Sequence, residues 1–449
     1  MFSEGFKTEI NKTIKVAVPI MIAQLGVILM GVTDNVVVGR LLGKTALGAA
    51  GIANSIAFLM ASLAIGGLSV VAPLVSKAKA ERNISEINRL YRAAVKVSLI
   101  FGLVLGIIGF ITVEFFEIFQ QPSEITALAP QFLLIMILSN IPLFLFHAGK
   151  QLSDGLSNTS VAMYMTILGL VLNLVFNLLL INGNLGFPRL GLNGSAVSTL
   201  ITRTLMAIVI FWYLHRSKNY QKYFQEKYKS LKINDLVSLI FKIGIPSGLQ
   251  FFFEIAAFSL AVVMMGWLGT DRLAAHQVAI NIGAVTYMMA SGIGYAGAIR
   301  VGEGRGLSSV SKIKLSGNVA LVLVILFMTA MMTIIIVFDK PLVEFYIIDN
   351  EVLTIALKLL VICAFFQLSD GVQVVALGVL RGISDVNIPT WITMFAYWGI
   401  ALPLGYYLGF SMKMDAIGIW IGLLAGLTVS AVLNTIRFYY LLRKMRLNY

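Results

Sequence analysis

The stretch HRSKNYQKYFQEKYKSLKIND, His215–Asp235, is the longest polar and charged run in a chain of 449 residues, and it falls almost at the midpoint. On either side lie successions of apolar segments that read as two versions of one plan. The run therefore marks a link between two halves, and the fold follows from what those halves are.

Only 12% of the residues are charged while 58% are hydrophobic, and the mean hydropathy is +0.89. A soluble domain carries roughly 25% charged residues, so a water-soluble fold could not hide this much apolar surface. Apolar runs of about twenty residues, long enough as helices to cross a hydrocarbon core of about 30 Å, recur throughout. They lie over 14–38, 47–72, 93–115, 127–149, 160–182 and 192–214, then 237–267, 275–299, 315–338, 353–380, 388–410 and 415–441. The expected fold is an all-α polytopic membrane protein with twelve transmembrane helices, six on each side of the link. Pro130 and Pro142 are expected to interrupt the fourth segment, since proline removes a helical hydrogen bond. The N-terminal lysines precede an apolar run too long for a signal peptide, which reads as a retained span.

Lysine and arginine accumulate on cytoplasmic segments. Lys7, Lys12 and Lys15 precede the first span, and Lys77, Lys79, Arg82, Arg89 and Arg92 follow the second. The central link holds Arg216, Lys218, Lys222, Lys227, Lys229 and Lys232. Arg300, Arg305, Lys312 and Lys314 follow the eighth span, and Arg437, Arg443, Lys444 and Arg446 close the chain. With both termini cytoplasmic, all of these lie on one face. The net charge of +13 then belongs to loops facing anionic lipid rather than to a nucleic-acid surface. The lone Cys363 excludes an intrachain disulfide and a thiolate metal cluster.

The halves align at an offset of 226 or 227 residues: Ala17-Val18-Pro19 with Gly244-Ile245-Pro246, Leu42-Gly43 with Leu268-Gly269, Gly66 with Gly292, and GLSNTS at 155–160 with GISDVN at 382–387. An even number of spans per half makes the repeats parallel, two pseudo-symmetric six-helix bundles with a central cavity as the expected substrate site. The expected division is an N-terminal lobe of residues 1–214, a crossover of 215–236 and a C-terminal lobe of 237–449. The Gly292–Gly306 run lacks a Walker lysine and follows no strand, so it reads as helix packing and not as a phosphate cradle.

Three carboxylates fall within apolar spans: Asp34, Glu254 and Asp370. A charge at that depth faces a cavity, finds a partner or takes up a proton. Their repeat counterparts are near Ala261, Val27 and Leu143, none of them acidic, so the acids break the symmetry that packing residues would keep. Such groups suit exchange of H⁺, Na⁺ or a cationic solute. Asn173 and Asn177, four residues apart, share a helix face and could supply oxygens to a cation or bond around Asp34; ordinary interhelical bonding is the competing reading. Phe253, Phe366, Met265 and Met289 belong to aromatic and methionine groups that would wall a cavity for lipophilic cations, or simply face lipid. His276 alone defines no metal site, and Arg381 reads as an anchor for the end of the tenth span.

The chain resembles the multidrug and toxic compound extrusion family, especially its NorM-like bacterial branch. The resemblance rests on PIMIAQLGVILMGVTDNVVVGR (19–40), LNLVFNLLLINGNLGFPRLGLNGSAVST (172–199), IPSGLQFFFEIAAF (245–258) and QLSDGVQVVALGVLRGISD (367–385). It implies a multi-pass transporter of the inner membrane, not an enzyme, that exports cationic or amphiphilic compounds against Na⁺ or H⁺. No cofactor beyond the coupling ion is expected, the partners are lipophilic cations and membrane lipid, and the working form is a monomer. Asp34 is similar to the family's first-span acid, with Asn173 and Asn177 beside it, and Glu254 and Asp370 are similar to a second cation site, a candidate for Na⁺. One turn before Asp370, Phe366 stands where some relatives carry a tyrosine, which weakens the case for Na⁺ there. Alternatives are a lipid-linked saccharide flippase, whose cavity should be cationic, and a membrane-embedded enzyme, which should show a catalytic acid pair or metal ligands at one depth.

Overall fold

The computed structural model describes residues 4–225, 231–347 and 349–447. Among them no strand occurs, and the regular elements are helical. This is one of the two economical answers to a hydrocarbon solvent, because a helix satisfies its backbone polar groups within the segment.

In chain order the helices are α1 (Glu4–Leu42), α2 (Lys44–Leu68), α3 (Val71–Ala80), α4 (Ile84–Glu114), α5 (Ser123–Gly155), α6 (Ser160–Asn182), α7 (Leu192–Arg216) and the short α8 (Lys218–Gln221). The second half holds α9 (Asn234–Leu268), α10 (Thr270–Gly306), α11 (Val310–Val337), the short α12 (Asp339–Glu344) and α13 (Asn350–Gly382). It ends with α14 (Asn387–Met394), α15 (Leu402–Tyr406) and α16 (Asp415–Leu447). By length and apolar composition, 11 helical segments among the described residues can cross a membrane, α2 and α3 counting together.

The remaining expected span, 388–410, eleventh in chain order, is built differently. It alternates α14, a π-helical stretch Phe395–Ala401, α15 and a second π-helical stretch Tyr407–Ser411. Pro403 lacks the N–H an α-turn would use, and a wider turn upstream accommodates its ring. Pro130 and Pro142, by contrast, do not break α5, which runs through both. Neighbouring helices and local adjustment make up the lost bonds in an apolar setting.

Two of the repeat's paired positions have a backbone reason. Gly43 and Gly269 separate the first two long helices of each half, with φ of +85° and +117° and ψ near ±170°. Residues with a Cβ essentially never adopt that region, so glycine recurs at the same place in both repeats.

The chain forms two compact units. One holds Ile22–Gly248; the other holds α1 through Met21 together with Leu249 onward. This differs from a division at 215–236, and packing explains why. The described part of the link is tied to the first unit: Tyr220 is buried, its hydroxyl 2.8 Å from Ser153 Oγ and accepting from Asn158 Nδ2 at 2.9 Å. Asn88 Nδ2 donates to the Tyr223 carbonyl at 2.7 Å, and Arg89 Nε to the Lys232 carbonyl at 2.8 Å. Lys227 and Lys229 lie outside the described residues.

Each unit then captures the start of a long helix. Glu9 of α1 is 2% exposed and accepts from Arg300 Nε at 2.9 Å and Nη2 at 2.8 Å, from Lys312 Nζ at 2.5 Å and from Ser316 at 2.7 Å. Its repeat counterpart Asp235, at the start of α9, pairs with Arg89 of α4. Farther up α9 the backbones nearly touch: a Cβ on Gly248 would lie 2.2 Å from the Leu63 carbonyl oxygen, and one on Gly244 2.6 Å from that of Gly67. Gly248→Val should therefore destabilise the protein by about 1–3 kcal/mol through overpacking, read as a lower melting temperature in detergent. Gly266→Ala, where nothing lies within 4 Å, should leave melting unchanged or raise it slightly.

Candidate functional site

In the Ile22–Gly248 unit, α1, α6 and α7 bring one acid among neutral donors. Asn177 Nδ2 donates to Asp34 Oδ1 at 2.5 Å and to Asn173 Oδ1 at 3.2 Å. The Thr199 hydroxyl donates to Asp34 Oδ2 at 3.3 Å and accepts from Asn173 Nδ2 at the same distance. The four-residue spacing on α6 puts both amides on the face that meets α1, and the structure unites all three sequence-identified residues. Asn177 Oδ1 is buried with no partner, an unused acceptor beside the carboxylate. Oxygens of this kind suit a proton or a hard monovalent cation.

Thr199 and Arg203 complete the surroundings. Arg203, one turn beyond Thr199, donates to Ser139 Oγ at 2.7 Å and Asn140 Oδ1 at 3.0 Å on α5, and its charge acts on Asp34. Arg203 reads in the sequence as a weaker candidate near a span end; Thr199 is not singled out there, and the four-residue spacing between the two is the helical signal that could have found it.

About three turns farther along α5, Lys150 Nζ meets Asp154 Oδ2 at 2.7 Å, with both side chains buried. Sequence reasoning missed this pair because its residues lie near the end of an apolar segment, where charge is unremarkable. Next to it, burial pushes the Tyr220 phenol above its ordinary range, so it stays protonated as part of the link's anchorage.

In the other unit, α9, α10 and α13 frame Glu254 and Asp370, 7% and 2% exposed. Glu254 is the charged neighbour that acts on Asp370, and the Tyr287 hydroxyl of α10 bonds to Glu254. Glu254 and Tyr287 line a cavity of about 10 Å³ with Gln250, Phe251 and Arg381. That is about the room one water needs. Arg381 lies inside α13, 5% exposed, its guanidinium 5.6 Å from the centre of the Phe251 ring. It stands in the last turn of α13, one residue before the helix ends at Gly382, where the sequence reads it as an anchor, and it also lines the cavity.

None of the four residues expected to wall a cavity, Phe253, Phe366, Met265 and Met289, lines this one. Met265 is fully buried in an aliphatic cluster with Ala257, Ala261 and Val278. Phe366 packs against Phe258 and Trp420, with ring centres 6.0 and 5.7 Å apart. Adjacency in sequence turns a side chain about 100° around a helix, so Phe251, one turn from Glu254, shares its face where Phe253 does not. His276 is a core residue accepting from Trp420 Nε1 at 3.1 Å. Among the described residues no three of His, Cys, Asp and Glu converge as metal ligands.

Comparisons with known proteins agree on one family. The family model MatE matches twice, over residues 19–179 and 246–407, once in each half. The chain is 31% identical over 440 residues to the probable multidrug resistance protein NorM of Pasteurella multocida, covering 96% of this chain and 94% of that one. It is 32% identical over 465 residues to the multidrug resistance protein NorM of Vibrio vulnificus strain CMCP6, covering 99% of each. Among solved structures, the eukaryotic MATE transporter AtDTX14 superposes with a TM-score of 0.90 at 19% identity, over 99% of this chain and all of that one.

The Lys150–Asp154 pair offers a direct test of the buried charges. Lys150→Met leaves a buried carboxylate uncompensated and should cost about 3–5 kcal/mol. The double variant Lys150→Met/Asp154→Leu should recover most of that loss, both followed by thermal melting of the detergent-solubilised protein.

Proposed function

Because this chain belongs to the MatE family, the multidrug and toxic compound extrusion transporters, and is a multi-pass membrane protein, we propose that it exports cationic and amphiphilic compounds from the cell by antiport with H⁺ or Na⁺. The observation that carries this reading is the buried carboxylate chemistry of each unit. Asp34 is held by amide and hydroxyl donors, Glu254 lines a cavity with Tyr287, and Asp370 is buried on α13 within reach of the Glu254 charge. Acids held mainly by neutral donors can take up and give back a positive charge, whereas acids locked to lysine or arginine cannot.

In the proposed cycle the outward-facing state accepts H⁺ or Na⁺ at these acids, which discharges the bound drug. The ion-loaded transporter turns inward, loses its ion to the cytoplasm and binds the next drug molecule. Ion and drug exclude one another because both neutralise the same carboxylates, and that mutual exclusion is the coupling free energy. Asn173 and Asn177 hold the Asp34 carboxylate in place. Both termini lie on the cytoplasmic face in this reading, following the basic links, and the monomer is the transporting unit. The relatives' printed name, multidrug resistance protein, supports the substrate class, and the acids of the two units support the coupling.

Proteoliposomes test it. An imposed inward H⁺ or Na⁺ gradient, applied separately, should drive export of a lipophilic monocation such as tetraphenylphosphonium, and the gradient that does so identifies the ion. Asp34→Asn, Glu254→Gln and Asp370→Asn should each lower coupled export by about 10²-fold or more, the effect of losing a group that acts at the transported charge, while melting stays within a few degrees of the parent. Unchanged export in all three variants would remove the acids from the mechanism.

A further inference from the structure

An arginine inside a transmembrane helix is a functional candidate unless an acid accounts for it. Arg203 stands in the middle of α7 and forms no ion pair among the described residues. Its bonds run from Nη1 to Ser139 Oγ at 2.7 Å and Asn140 Oδ1 at 3.0 Å, both on α5. An acid is nevertheless one turn away. Thr199, four residues earlier on α7, donates to Asp34 Oδ2 at 3.3 Å. Side chains on a helix lean toward its N-terminus, so the long arginine extends along this face in the direction of that carboxylate. The charges of Arg203 and Asp34 act on each other, while the hydrogen bonds to Asp34 come from amides and a hydroxyl.

The two acceptors on α5 are themselves fixed. Ser139 Oγ donates its own hydrogen to the Met136 carbonyl at 2.6 Å, and Asn140 Nδ2 donates to the Ala57 carbonyl of α2 at 3.4 Å. Each is buried and turns lone pairs toward Arg203. The guanidinium is thus held by oriented neutral oxygens and not by the anion.

The scaffold does not demand this arrangement. At the repeat offset of 227, Arg203, Asn140 and Asp34 fall on Ser430, Gln367 and Ala261. The second half keeps the helices and has neither the cation nor the acid at these places. Farther along α5 stand His147, on which both Arg203 and Lys150 act, and the Lys150–Asp154 pair. Asp154 is the other carboxylate buried in this unit among the described residues, and Lys150 already matches it. A guanidinium that left Ser139 and Asn140 would therefore find its open acid in Asp34, because a charge released in an apolar interior goes to an opposite one.

We propose that Ser139 and Asn140 tether Arg203 one turn short of Asp34, so that its charge loosens the hold of Asp34 on a transported cation without closing an ion pair that would shut the cation out. Arg203 is then a positioning residue of the coupling site. The inference rests on the reading of Asp34 as a coupling acid.

The test reads Asp34 directly. In purified protein without Na⁺, the infrared carboxyl band that Asp34→Asn removes is followed against pH. Arg203→Met should leave Asp34 half-protonated at about tenfold lower H⁺ concentration, the effect of losing one cation at this range, and Arg203→Lys should stay within about threefold of the parent. Ser139→Ala combined with Asn140→Leu should shift the band the opposite way by about tenfold or more, as the freed guanidinium closes on the carboxylate. The same pair of changes should cut gradient-driven export of tetraphenylphosphonium from proteoliposomes by about the same factor. Adding Arg203→Met to that pair should cancel the opposite shift and recover export, which a merely structural role would not do. Arg203→Gln and Asn140→Ala carry the same expectations wherever the first variants do not fold. A titration unmoved by Arg203→Met, or moved in the same direction by loss of the tether, overturns the inference alone. Export that survives Asp34→Asn overturns the reading of Asp34 as a coupling acid, whatever the band does.

Discussion

A charged side chain inside an apolar helical bundle has to meet an opposite charge or a full set of hydrogen bonds, and most of what distinguishes this chain is how each buried charge meets that demand. Glu9 is held by a guanidinium, an ammonium and a hydroxyl at once. Asp154 is held by one ammonium. Asp34 is held by an amide and a hydroxyl, with the nearest guanidinium turned to α5. Glu254 has a phenol for a partner. The order runs from acids held by charged partners to acids held by neutral donors.

The internal repeat separates what the backbone needs from what the chemistry needs. Gly43 and Gly269 recur because the turn between two long helices demands a conformation that only glycine holds. Pro19 and Pro246 recur inside α1 and α9. The ionisable groups follow no such rule: Asp154 faces Arg381 across the repeat, and Glu254 faces Val27. The scaffold occurs twice in the chain, and the charges it carries differ between the two halves.

The helical class, the helix-forming segments and the pairing of Asp34 with Asn173 and Asn177 were legible in the sequence, because hydropathy and four-residue spacing express one-dimensional physics directly. Less was legible wherever three dimensions decide. Glu9 sits among lysines in what reads as a polar leader, and nothing local says that it meets Arg300 and Lys312 some 300 residues later. Tyr287 is one aromatic among many in its segment. The π-helical stretches of 395–401 and 407–411 depend on how backbone turns widen, which composition does not encode. Arg381 could have been found, since 370, 374, 377 and 381 share a face; attention to where a span ends hid it.

The two compact units do not coincide with the two repeats. The opening of α1, through Met21, belongs with the second repeat's unit, and the opening of α9, through Gly248, belongs with the first's. Each unit is therefore completed by the opening of the other repeat's leading helix. An ancestor with one repeat, built on the same plan, would have had to trade these helices between two copies as a swapped dimer. Fusion of the genes would then have turned an exchange between chains into one within a single chain, leaving each copy free to change its charges independently.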